Sequence, residues 1–244
     1  MLGRIAVVAA LLGTALPAAA DRLSDLRQVL ERFPAKAPFT ASATVQVNAG
    51  SEQDATRGGS AGLEIESGAA GFTIRVSPNT LEAAEKEAVA KKRDPNVATP
   101  TRTAMVALTI FDIIDALDAA SMLVDDLSDA TLLDEKNVPH NGKPATMVRV
   151  KVKPSLATQS RFVAEPRIEL KIWIGADGIP VAAERVSNYS AGVLFVKLDN
   201  TRTEHWDFAV HGDRLYATSN HEDNEATAVG KHINSSRTVS YTPK

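Results

Sequence analysis

The chain has 244 residues, no cysteine, 27 Lys+Arg against 30 Asp+Glu, and a formal net charge of −3. A slightly acidic chain lacks the basic face that nucleic acid requires, and the absence of cysteine excludes disulfides, Cys-ligated zinc, iron–sulfur clusters and thiol nucleophiles. The length suits one large domain with its own core.

Residues 1–20, MLGRIAVVAALLGTALPAAA, have one cation, Arg4, then an apolar run from Ile5 to Leu12, then Ala18-Ala19-Ala20. A charged start, a short apolar middle and a small-x-small end predict a secretory signal peptide, with Asp21 as the first mature residue. The apolar run is shorter than the roughly 20 residues a membrane span needs. With no cysteine to carry a lipid at the cleavage site, the expected address is the bacterial periplasm, and residues 21–244 are expected to form one α+β domain.

The mature chain opens with DRLSDLRQVLERF, in which Leu23, Leu26, Val29, Leu30 and Phe33 fall at helical spacing. Pro34 and Pro38 end that helix. The period then becomes two. Phe39, Ala41, Ala43, Val45 and Val47 alternate with polar residues, which predicts a half-buried strand. A polar tract, AGSEQDATRGGS, is read as a loop. Leu63 and Ile65, then Phe72, Ile74 and Val76, mark two further strands around the turn SGAAG.

A helical block follows, at about 79–129. Asn79 and Glu82 form a capping-box-like pair, Lys91, Lys92 and Arg93 suit the end of a helix, and Asp94-Pro95 stops it. Thr99-Pro100 opens the next helix. From Ala104 to Leu127 runs the most apolar helical stretch of the mature chain. Asp112, Asp115 and Asp118 interrupt it, so it is not a membrane span. On one straight helix those carboxylates would drift around the cylinder, since a step of three is ~60° short of a full turn. A break near Leu117-Asp118 is therefore expected, with Asp118 capping a second helix.

Strands return from residue 131. Asn141-Gly142, Asp177-Gly178 and Gly212-Asp213 are turn signals. Between them alternate Val148, Val150 and Val152, then Ile168, Leu170, Ile172 and Ile174, then Pro180 to Asn188. GVLFVKLD reads as a strand of its own, followed by Trp206, Phe208 and Val210, by Leu215, Ala217 and Ser219, and by one or two strands from Ala226 to Tyr241. Short turns make these strands antiparallel neighbours.

Candidate chemistry is sparse. Gly58-Gly59-Ser60-Ala61-Gly62 matches G-x-S-x-G. A nucleophile elbow joins a buried strand to a helix, whereas Ser60 follows a polar tract and precedes a strand. It is read as part of a hairpin loop whose glycines permit positive φ. No His-x-x-x-His or His-Glu-x-x-His spacing occurs. His221-Glu222-Asp223 is read as a solvated loop rather than a metal site, and His205 and Asp207 share a strand face. The three aspartates of the apolar helix are read as caps and wet edges. No catalytic residue, metal or cofactor is assigned.

The order helix, strands, helical block, hairpins gives an α+β fold: one large, strongly curved antiparallel sheet, an open half-barrel, covered by a helical lid. With three Tyr, two Trp and seven Phe, the chain lacks the aromatic girdles of an outer-membrane barrel. The helix RLSDLRQVLERF before FTASATVQV, the mid-chain helices, and the hairpin run GKPATMVRVKV…IELKIWIGADGIPVAAERV together resemble the LolA/LolB-type family of periplasmic lipoprotein carriers. Relatives of that family include the N-terminal domain of RseB-type sigma-factor regulators. The resemblance implies an incomplete barrel with a lid over an apolar cavity, and binding rather than catalysis. It carries over no functional residue. From the apolar helix itself, Leu108, Phe111, Ile114 and Leu117 are the candidate ligand contacts. The expected partner is an apolar small molecule or lipid, or else a lipoprotein or another envelope protein. The pattern specifies no oligomeric state. An envelope interaction or stress-sensing module of the same fold is the alternative, and a Ser60 hydrolase the remote one.

Overall fold

The computed structural model describes residues 19–51, 57–68, 71–154, 166–193, 196–228 and 231–244. The signal-peptide reading lies outside them but for Ala19 and Ala20, which begin the first helix, α1 (Ala19–Leu30). Leu23, Leu26 and Leu30 are its buried stripe, and Phe33 just beyond its end is buried too. Three strands follow: β1 (Phe39–Ser51), β2 (Arg57–Gly68) and β3 (Gly71–Val76). Then come α2 (Pro78–Arg93), α3 (Pro100–Val106), α4 (Ile110–Leu117) and α5 (Ala119–Leu127). Seven strands complete the chain: β4 (Thr131–Asn137), β5 (Thr146–Val152), β6 (Arg167–Ile174), β7 (Pro180–Val193), β8 (Val196–His211), β9 (Arg214–Ala228) and β10 (Lys231–Pro243).

All ten strands pair antiparallel in one open sheet, ordered β3-β2-β1-β10-β9-β8-β7-β6-β5-β4. The fold is thus α+β, an open half-barrel with helices over its concave face. Period-two alternation is why β1 sits as it does: Phe39, Ala41, Ala43, Val45 and Val47 are buried, and the residues between them are not. One row of the concave face, Val45–Val239–Asn220–Trp206–Ala183–Ile172–Val148, is buried across seven strands. Against the sheet pack Leu26 and Leu30 of α1 and Leu117, Leu123 and Leu127 of α4 and α5, so the interior beneath the helices is filled.

Caps explain the helical breaks. Asp118 ends α4 and caps α5, accepting from the Ser121 N–H at 3.2 Å, which is the break expected from the aspartate spacing. A second break was not anticipated: Thr109 and Asp112 form a capping box that starts α4 afresh after α3. The cap of α2 is Ser77, not Asn79, because Pro78 takes the first helical position. Thr99 precedes α3 without a side-chain cap. The Glu87 carboxylate of α2 instead accepts from the Thr101 and Arg102 N–H groups at 2.8 and 3.1 Å.

Three loop or strand expectations need correction. GVLFVKLD is not a strand of its own: Val193 pairs with Val196 across the β7–β8 hairpin, while residues 194 and 195 lie outside the described set. His221-Glu222-Asp223 is strand, in the middle of β9. Ser60 is also strand, paired with Gln46, so RGGSAG is neither elbow nor loop. Positive φ does not explain its glycines, since such angles occur only at Gly71, Gly142, Gly178 and Gly212 among glycines described. Close approach explains Gly59: a Cβ there would lie 1.9 Å from the Pro100 carbonyl oxygen, where α3 crosses β2.

Gly59→Ala should therefore cost about 1–3 kcal/mol through overpacking, while Ser60→Ala, at an exposed position, should stay within about 0.5 kcal/mol. Urea unfolding separates the two. Equal stability of Gly59→Ala and the parent chain would remove the contact from the account.

Candidate functional site

The sheet's pairing lines up a second concave row beside the buried apolar one: Val47–Arg237–Glu222–Glu204–Arg185–Leu170–Val150. Its second to fifth positions are charged, on β10, β9, β8 and β7. Two residues further along β8, Arg202 lies on the same face. The apolar interior thus ends at a charged belt.

The helices meet this belt with carboxylates. Arg237 donates through Nη1 and Nη2 to Asp112 of α4 at 2.8 and 3.1 Å, and through Nη1 to the Ala107 carbonyl at 2.7 Å. Its Nη2 also reaches Glu222 at 2.5 Å. Arg185 donates to Asp126 of α5 and lies 3.6 Å from Glu204. Arg202 donates to Glu204 at 2.8 Å and to Glu222 at 3.1 Å. The Arg237 side chain is only 8% exposed, so its own pairs are desolvated and little screened by salt. Burial works against ionisation of Asp112, but hydrogen bonds from Arg237 and Thr109 outweigh it and hold the carboxyl below its usual range. Burial lifts Glu204, with Arg185 and Arg202 opposing, and lifts Asp115, with Arg185 opposing.

A cavity of about 570 Å³ opens between belt and lid. Six carboxylates, Asp112, Asp115, Asp125, Asp126, Glu204 and Glu222, share its wall with Lys153, Arg185, Arg202 and Arg237. Ala107, Phe111, Tyr189, Val152 and Ile168 are its apolar part. Where the sequence pattern led to an apolar cavity, the one bordering the lid is charged.

The candidate contacts separate by helix face. Ile113, Ala116 and Leu117 form the buried stripe of α4, and Leu117 is 2% exposed. Phe111, at 73%, and Ile114, at 43%, face outward beside the exposed Val106 and Ile110, and Leu108 packs half-buried at the core's margin. So Phe111 borders the cavity, Ile114 extends an apolar ridge along the lid, and Leu117 supports that ridge from below. The belt residues were missed by sequence reasoning. Their one local signal was the Thr109-x-x-Asp112 capping box, which fixes where Asp112 points.

On the other face, His140 and His205 lie 3.4 and 3.8 Å from the same Asp207 oxygen, and Ser219 donates to that carboxylate at 3.0 Å. His221 is 3.0 Å from Asp223. Among the described residues no group of three or more metal-ligating side chains is placed to hold an ion. No described helix is long and apolar enough to cross a membrane.

No family model and no curated protein matches the chain. Among solved structures, it is similar to a LolA superfamily protein from Nitrosomonas europaea, over 92% of this chain and 91% of that one, at 9% identity and a TM-score of 0.33.

Arg237→Ala strips Asp112 and Glu222 of a buried cation and should cost about 3–5 kcal/mol at neutral pH. In the parent chain the folded Asp112 pKa is lowered, so its contribution is present above its ordinary value of 3.8 and is lost as pH falls below it. In the variant the Thr109 hydrogen bonds remain but the Arg237 bonds and charge are gone, so Asp112 is held down less against its burial and the penalty should shrink on acidification. Urea unfolding of both proteins at neutral and acidic pH measures this, and a penalty independent of pH contradicts the ion-pair role.

Proposed function

We propose that the chain is a non-enzymatic binding or carrier protein of the bacterial envelope for an amphiphile: a lipid, or the acyl chain of a lipoprotein. The observation that carries the reading is the outward apolar ridge of the lid, Val106, Ile110, Phe111 and Ile114, bordering a charged cavity at Phe111. Clustered exposed apolar side chains mark a binding surface far more than single ones do. An acyl chain lies along the ridge, and the polar end of the same molecule sits against the belt, which offers both donors and acceptors. Export by the N-terminal segment 1–20 places the protein where such ligands occur. Binding rather than catalysis is favoured because Ser60, the single nucleophile candidate, lies mid-strand, and no described hydrogen bond joins it to a histidine.

The test is titration with a fluorescent fatty-acid probe. The parent chain should bind saturably. Phe111→Ala and Ile114→Ala should weaken binding while stability stays within about 0.5 kcal/mol, as for other exposed positions. Leu117→Ala should instead destabilise by about 2–5 kcal/mol. Absence of saturable binding by the parent chain would leave the ridge to a protein partner and overturn the lipid reading.

A further inference from the structure

The open sheet leaves two edges, β3 and β4, and they are treated differently. The β4 edge is defended. It carries Asp134, Glu135 and Lys136, has a bulge between Leu132 and Asp134, and meets α1 through the 3.2 Å pair of Arg22 with Glu135. β3 is less defended. Its six residues, Gly-Phe-Thr-Ile-Arg-Val, contain no proline, no bulge and one charge, Arg75, which pairs with Glu66 on β2.

The backbone parity of that edge can be fixed. The Ser77 N–H donates to the Gly62 carbonyl at 3.0 Å, so Gly62 and Ser77 are a hydrogen-bonded pair. Alternation along an antiparallel ladder then makes Glu64/Arg75 and Glu66/Thr73 bonded pairs. Phe72, Ile74 and Val76 are left with N–H and C=O directed away from β2. Their side chains are half-buried against the core, while Gly71, Thr73 and Arg75 are on the exposed face.

We propose that this edge pairs with β3 of a second copy of the chain, antiparallel about a two-fold axis at Ile74. Parity and charge select that register. Ile74 faces Ile74, and Phe72 faces Val76, so every outward backbone group meets an outward group. A two-fold axis between residues opposes Phe72 to Arg75, whose backbone groups point inward, and one at Arg75 brings two guanidiniums face to face. One at Thr73 loses the pairing of Val76. With the axis at Ile74 the exposed face reads Glu64–Arg75–Thr73–Glu66 across the two copies, with no like charges adjacent. The core-side face reads Ile65–Ile74–Ile74–Ile65. Self-pairing closes the association at two copies, since the defended β4 edge does not propagate it. An edge of six residues makes a small interface, so the dimer is a weak one. The proposal is independent of the ligand reading above.

Sedimentation velocity from micromolar to millimolar protein tests it with three chains. The parent should pass from monomer to dimer. Thr73→Arg keeps an intramolecular partner in Glu66 but faces Arg75 of the other copy, and should weaken the dimer at least about tenfold. Adding Arg75→Thr to that variant puts the introduced guanidinium opposite a threonine and should restore dimerisation; circular dichroism verifies that all three fold alike. A parent chain that stays monomeric throughout, leaving the edge to a foreign strand, overturns the proposal, as does a dimer unaffected by Thr73→Arg.

Discussion

The guanidinium of Arg237 holds lid and sheet together. It grips Asp112, the first-turn carboxylate of the capping box that Thr109 opens, and the Ala107 carbonyl just before that helix. On the sheet side it reaches Glu222. One planar fork thus fixes the position and the starting point of α4 relative to β9 and β10. Where α4 starts decides which of its apolar side chains face the core. With the helix begun at Ile110, Ile113 and Leu117 turn inward, and Ile110, Phe111 and Ile114 turn outward.

Placing such pairs inside the half-barrel is costly. Removing charge from water takes several kcal/mol per ion, regained only if partners are close and well oriented. Carboxylates outnumber cations on the cavity wall, so the compensation is uneven. Asp112, with the bidentate partner, stays readily ionised, whereas Asp115 and Glu204 are lifted by burial. Glu204 therefore acts with the opposite sign to Asp112: its contribution to stability falls as pH rises above its ordinary value of 4.5. The belt therefore holds groups of both kinds: Arg237 with Asp112 supports the lid, while the charge of Glu204 costs the fold.

Strands were legible wherever one face was apolar throughout, as in β1, β5 and β6. The break at Asp118 was legible because a helix cannot keep carboxylates three apart on one face. The belt was not legible, because its members come from four strands and their face reverses the usual polarity. In β7 the concave face buries Ser187 while Val186 beside it is only half-buried. Periodicity alone reads such a strand with the wrong side inward. RGGSAG misled for another reason. Glycine in a strand and glycine in a loop look alike in sequence, and the close approach of Pro100 to Gly59 is a long-range contact that no local pattern carries.

The most direct measurement is native mass spectrometry of the protein recovered from the cells that make it, beside a Phe111→Asp, Ile114→Asp double variant prepared in the same way. The account predicts a bound species on the parent chain, with a mass increment that matches an envelope amphiphile, and loss of that species from the variant. A bare chain in both preparations, or an increment that the variant retains in full, would contradict the assignment of the α4 ridge as the ligand site.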